Sequence, residues 1–244
     1  MIPRDEILAR FRSRTASGQA IVAASIGSGR EALLAEAAGF DLLIVDSAAR
    51  FRSAGRRSLS SMLPFGDASG LVRELSREII PLVRSIALVA GVAAGDPFRR
   101  MPTWLATLKE EGYSGVLNSP TVGIFDGKFR AALEAEGLGY EHEIEMIALA
   151  SDLGLLAVAF AFDERQAERM AAAGADVLIA HSGHDHTEDK IGAIRAIVDA
   201  GKAVDPSITV LVRMDPGSPR DRCDAILASV RGAVGSTIEG AGNY

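Results

Sequence analysis

A (β/α)8 TIM barrel is the fold this sequence predicts, and three observations predict it. Short apolar runs and longer amphipathic segments alternate about eight times, the pattern of parallel strands joined by helical crossovers. The chain has 244 residues, close to the roughly 250 of a typical barrel. Polar residues collect directly after several of the apolar runs, where such a fold carries its chemistry: Ser25, Asp46, Asp96, Asn118, His181, Arg213 and Glu239.

Taken in order, Asp5–Arg14 reads as a helix that, within residues 1–18, caps the bottom of the barrel ahead of the first strand. Strands are expected at Ala20–Ala24, Asp41–Val45, Ile86–Gly91, Gly115–Leu117, Leu155–Phe160, Ala175–Ala180, Ile208–Val212 and Gly232–Gly235. Helices are expected between them at Glu31–Ala38, Ala68–Val83, Met101–Glu111, Glu164–Ala173, Thr187–Val204 and Pro219–Val230. Two places break the alternation. Ser47 to Gly66 reads as a long connection rich in Arg, Ser and Gly, and loops of that length are usually functional or disordered. The fourth strand is followed by two helical segments, Lys128–Glu136 and Tyr140–Leu153. The second must descend to feed the strand at Leu155, so its first turn lies at the top. No linker or low-complexity stretch divides the chain, so residues 1–244 read as one domain.

Composition narrows the function. With 26 Lys plus Arg against 32 Asp plus Glu the protein is mildly acidic, which argues against nucleic acid and anionic membrane surfaces as partners. Cys223 is the single cysteine, so no intrachain disulfide forms and a reducing compartment is the simplest expectation. The start carries no signal-peptide stretch, and no apolar run approaches the roughly 20 residues of a membrane span. A soluble cytoplasmic protein is expected.

Several residues after the strands have the chemistry of a site. Arg50, Arg52, Arg56 and Arg57 bring planar guanidinium forks to the catalytic face, suited to bidentate capture of carboxylate or phosphate. Solvation or a contact with a neighbouring subunit of a homo-oligomer is the competing role. The turn Gly27-Ser28-Gly29 offers backbone amides to an anion at a helix amino terminus. With Ala32 and Asp46 it also imitates a dinucleotide-binding fingerprint, but a doubly wound sheet has about six strands and lacks an Arg-rich loop behind its acid. Asp46 and Asp96 follow the second and third strands and suit a hard divalent cation such as Mg2+; organising a turn is the other role open to Asp96. Asn118 follows the fourth strand and suits orienting a substrate. Early-turn acids at Glu141, Glu143 and Glu145 complement the helix dipole, and Glu143 points away from the face shared by the other two. His181, His184 and His186 are three of the four histidines, and His181, first after the sixth strand, is the candidate for proton transfer.

These motifs together resemble the phosphoenolpyruvate hydrolase-like family of TIM-barrel proteins. The resemblance rests on Ile26-Gly27-Ser28-Gly29, Arg50-Phe51-Arg52 with Gly55-Arg56, Leu63-Pro64-Phe65-Gly66-Asp67-Ala68 and Gly95-Asp96-Pro97-Phe98-Arg99. It continues through Asn118 with Pro120-Thr121-Val122-Gly123, Gly137-Leu138-Gly139-Tyr140 and Glu143-Ile144-Glu145-Met146-Ile147. It implies cleavage of a C–O, C–P or C–C bond in an oxo acid, and a partner with an ATP-binding-like domain, separate or fused. Two places depart from the family. The loop after the sixth strand is shorter, and Arg213-Met214-Asp215-Pro216-Gly217 stands where a His-Gly-Gly element is expected.

The expectation is therefore a hydrolase or lyase of a small anionic oxo acid or its phosphorylated form. Asp46 and Asp96 hold a divalent metal; Gly27, Ser28, Gly29, Arg50 and Arg52 bind the anion; His181, Asn118 and Glu143 serve catalysis. A ligand-binding subunit that has lost the reaction is the rival, favoured by the replaced His-Gly-Gly element.

Overall fold

The computed structural model describes residues 1–182, 190–214, 227, 230 and 232–239. Eight parallel strands close into a barrel in chain order: β1 (Ile21–Ile26), β2 (Leu42–Val45), β3 (Ala87–Val92), β4 (Gly115–Asn118), β5 (Leu156–Ala161), β6 (Val177–Ala180), β7 (Thr209–Arg213) and β8 (Gly235–Glu239). Before them runs α1 (Arg4–Ala16), and between them α2 (Gly29–Ala37), α3 (Ser47–Ser53), α4 (Ala68–Ile79) and α5 (Met101–Glu111). After β4 come two helices, α6 (Gly127–Ala135) and α7 (Glu141–Asp152), then α8 (Glu164–Ala172) after β5 and α9 (Lys190–Val204) after β6. The expected helix at Pro219–Val230 falls almost wholly outside the described residues, as do His184, His186 and Cys223.

Strand periodicity sorts the core into two layers. Ile21 and Ala23, Leu42 and Ile44, Ala87 and Val89, Leu156 and Val158, and Val177 and Ile179 pack inside the barrel, with Leu117 and Leu211. Their neighbours Ala24, Leu43, Leu88, Val116, Ala157, Leu178 and Val210 pack outward against the helices. Because successive side chains alternate faces, the inward series continues past the apolar interior to Ser25, Asp46, Ser119, Phe160, His181, Arg213 and Thr237. The same alternation sends Asn118 outward. At the opposite end, Ile7 and Phe11 of α1 fill the interior from below. Arg4 ties α1 to Asp176 through hydrogen bonds of 2.7 and 2.9 Å.

Two expected elements differ from the structure. The connection after β2 is not a long loop: Asp46 caps α3 by accepting from the Ala49 amide at 2.6 Å, and a short 3-10 turn follows at Ser58–Met62. The eighth strand is Gly235–Glu239 and not Gly232–Gly235, because Gly235 pairs with both Ile21 and Leu211. Gly232 takes φ +98°, a turn conformation.

Candidate active site

The inward residues at the strand ends line one pocket with about 650 Å³ of empty space, open to solvent. Asp46 lies at its base, 5% exposed. Its Oδ1 accepts from the Ser25 hydroxyl at 3.2 Å as well as from the Ala49 amide, and its Oδ2 accepts from the Ser119 hydroxyl at 3.2 Å. Gly91 is the neighbour that makes room: a Cβ there would stand 2.7 Å from that of Asp46 and 2.9 Å from the Ser119 carbonyl oxygen. Arg52 reaches back from α3 and donates to the Ser25 hydroxyl at 2.8 Å and to Ser58 at 3.2 Å. Ser25 thus bridges a guanidinium and a carboxylate.

Across the pocket, the His181 ring is buried against Phe162 and Phe160, with centroids 4.8 and 5.9 Å apart. Arg213 and Thr237 lie directly opposite each other on β7 and β8, and both line the pocket. The Thr237 hydroxyl is buried and makes no hydrogen bond among the described residues. Such a group ordinarily costs about 1–3 kcal/mol.

Not every expected residue arrives here. Arg50 is exposed and Arg52 half-buried, because two residues along a helix turn a side chain by about 200°, to the opposite face. The amides of Gly27 and Gly29 do bind anions, but the anions belong to the chain itself. Gly27 donates to Glu31 at 2.7 Å and Gly29 to Glu78 at 2.6 Å, while Ser28 caps α2 by accepting from the Glu31 amide at 3.3 Å. Gly27 is also where α3 crosses closest, since a Cβ would meet the Ala49 carbonyl at 2.3 Å. With these amides occupied, in a closed barrel, the dinucleotide fingerprint is overturned.

Asn118 faces the helix layer. Its Oδ1 accepts from the Phe160 amide at 2.7 Å, and its Nδ2 donates to Glu143 at 2.5 Å. Glu143, on the first turn of α7, also takes the Thr121 hydroxyl at 2.6 Å and the Val122 amide at 2.7 Å. Burial pushes its carboxyl up to about 7, against the opposing pull of those hydrogen bonds and of Arg130. Asn118 and Glu143 therefore brace the loop behind the pocket and do not line it.

Asp96 does not reach Asp46's pocket either. It accepts from the Phe98 amide at 2.9 Å, two residues on, and pairs with Arg99. Arg99 in turn pairs with Asp67 at 2.6 Å. No three His, Cys, Asp or Glu side chains converge on a cation among the described residues. With Asp96 paired to Arg99 and absent from the pocket lining, the two carboxylates do not come together as the expected Asp46–Asp96 metal site. The residues missed by sequence reasoning are Ser119, Thr237 and the two phenylalanines; counting by twos along the strands finds all but Phe162.

These features define a closed (β/α)8 barrel with a pocket at the carboxyl ends of its strands that gathers Asp46, Arg52, His181 and Arg213. The chain belongs to the phosphoenolpyruvate hydrolase-like family, whose model matches residues 6–239. Among similar proteins, the ToMV susceptible protein tm-1(GCR26) of Solanum lycopersicum is 40% identical over 94% of this chain. The ToMV resistance protein Tm-1(GCR237) of the same plant is 40% identical over 95% of it. The chain spans about a third of those relatives, 32% of each. Among solved structures, phosphonopyruvate hydrolase in complex with oxalate and Mg2+ superposes with a TM-score of 0.62 at 17% identity, over 95% of this chain and 79% of that one. A 2,3-dimethylmalate lyase of the PEP mutase/isocitrate lyase superfamily gives 0.60 at 16%, over 98% and 81%. Those two likenesses establish the fold. Among the described residues, no helix is long and apolar enough to cross a membrane.

Proposed function

We propose that this chain binds a small anionic oxo acid, free or phosphorylated, at the barrel mouth and cleaves it as a hydrolase or lyase. The observation that carries this reading is the convergence of Arg52, Arg213, a buried carboxylate and a buried imidazole on one pocket. Arg52 takes the anionic end of the ligand through its planar fork. Asp46 fixes the Ser25 and Ser119 hydroxyls and holds compensating negative charge beneath the guanidinium. His181, shielded by Phe160 and Phe162, transfers a proton to or from the oxygen on which charge develops. Asn118 and Glu143 position the Ser119–Thr121 wall. The Mg2+ of the phosphonopyruvate hydrolase complex is not carried over, because the described mouth supplies a single carboxylate, Asp46.

Calorimetric titration with oxalate, pyruvate and phosphoenolpyruvate tests the binding step. Binding is expected in the wild type and about tenfold or weaker in Arg52→Lys, which keeps the charge and loses the fork. Indifference of the wild type to all three acids overturns the reading. Loss of turnover in His181→Gln by about 100- to 10,000-fold, at unchanged melting temperature, is expected once a substrate is turned over.

A second reading has one observation in its favour: the relatives at 40% identity carry names of virus susceptibility and resistance and name no reaction. A chain that binds these acids but releases no product from them is a ligand-binding module.

A further inference from the structure

A second, larger concavity lies beside the mouth, with about 2290 Å³ of empty space that includes open solvent. The two adjoin. Ser61, Met62, Pro120 and Thr121 line both, so the 3-10 turn after α3 and the loop after β4 form a common wall. Beyond that wall the lining is mostly apolar, with Leu63, Phe98, Phe125, Phe129 and Leu138 among its large side chains. Phe98 is 93% exposed and Phe129 57%, and α6, which carries Phe129, buries none of its residues. Contiguous apolar surface of this kind marks a site of interaction.

The charged groups of the groove are bonded within the protein, and the buried Trp104 indole N–H is the polar group there without a partner among the described residues. Arg99 is paired with Asp67 and Asp96, Arg73 with Glu111 at 2.7 Å, and the Glu143 carboxylate holds its three donors. An occupant therefore gains mainly by covering carbon. Two guanidinium groups, Arg52 and Arg213, line the adjoining mouth.

We infer that the acid bound at the mouth carries an extended apolar tail, which passes the Met62–Pro120 wall and lies along the groove against Phe125 and Phe129. The inference rests on the proposed anion site and adds the ligand's second half. The occupant is a 2-oxo acid or similar small acid with a hydrocarbon chain, since the shared wall sets the proposed anion-binding end beside an apolar groove.

The test is a calorimetric series of straight-chain 2-oxo acids, from pyruvate to 2-oxooctanoate, with molar mass followed by light scattering. Once the chain is long enough to pass the wall, affinity is expected to rise about fourfold per added methylene, the value of burying one CH2. Replacing Phe98→Ser and Phe129→Ser together, both at exposed positions that tolerate substitution, is expected to flatten that slope. Circular dichroism and the melting temperature report that the double variant is folded. The inference is overturned if pyruvate binds and longer acids bind no better, or if the folded double variant keeps the slope. It is overturned equally if the wild type is a dimer that this variant splits while chain length has no effect, which makes the groove an interface between copies. If no acid of any length binds, the anion site falls with it.

Discussion

Two buried carboxylates, Asp46 and Glu143, stand behind the same loop and do opposite things. Asp46 continues the inward series of β2 and enters the pocket, where two of its three partners are hydroxyls able to rotate toward a ligand. Glu143 sits in the outer layer, and its donors are Asn118, Thr121 and the Val122 amide, all from one short stretch of chain. The first arrangement leaves exchangeable contacts at a site. The second fixes a wall, and strand parity decides which is which: Ser119 points in to Asp46, and Asn118, one residue earlier, points out to Glu143.

The contrast predicts a ranking. Glu143→Ala orphans three donors at once and should cost about 3 kcal/mol or more, read by urea denaturation; a cost below that of Asp46→Ala would break the comparison. A pH titration sharpens it. The Glu143 carboxyl is raised from 4.5 to about 7 by burial, so the folded state holds a proton that the unfolded state has released. The stability from that proton is complete below about pH 4.5 and declines as pH rises to about 7, by at most roughly 3 kcal/mol. Subtracting the profile of Glu143→Gln should isolate that decline, and identical profiles would refute it. Asp46→Ala should cost about 1–2 kcal/mol through the lost cap of α3 while abolishing anion binding by calorimetry. Thr237→Val, which removes a buried hydroxyl without a partner among the described residues, should leave stability unchanged or raise it by up to about 1 kcal/mol; a clear loss would reveal a partner for that hydroxyl.

The barrel was legible because its strands are short, apolar and evenly spaced, and because Asp46 and His181 close runs that already alternate. The eighth strand was harder. Ala233 and Val234 offered an apolar run, while the paired residues Gly235-Ser236-Thr237 are small and polar as they approach the mouth. The Asn118 side chain could be oriented by counting from Leu117, which lies inside. What occupies the glycine turn could be read only in part: Glu31 is four residues from Gly27, but Glu78 is 49 residues from Gly29 and arrives through the fold. Asp96 carried its own signal, since an Asp two residues before an amide it accepts needs no distant ligand. Arg50 and Arg52 were inseparable while their segment read as a loop. A helix separates them at once.

The docking of α1 has a consequence for how the chain is made. Its first anchor, Arg4, closes on Asp176, 172 residues later, and Ile7 and Phe11 need Leu156, Val177 and Leu211 to bury them. At about 5–20 residues per second, synthesis leaves this helix waiting for roughly ten to forty seconds before its seat exists. During that interval Phe11 is exposed beside a half-built sheet. The stopper of the barrel leaves the ribosome before every strand it plugs and is among the last pieces to find its place, so nascent chains cut before β6 should present that end to chaperones.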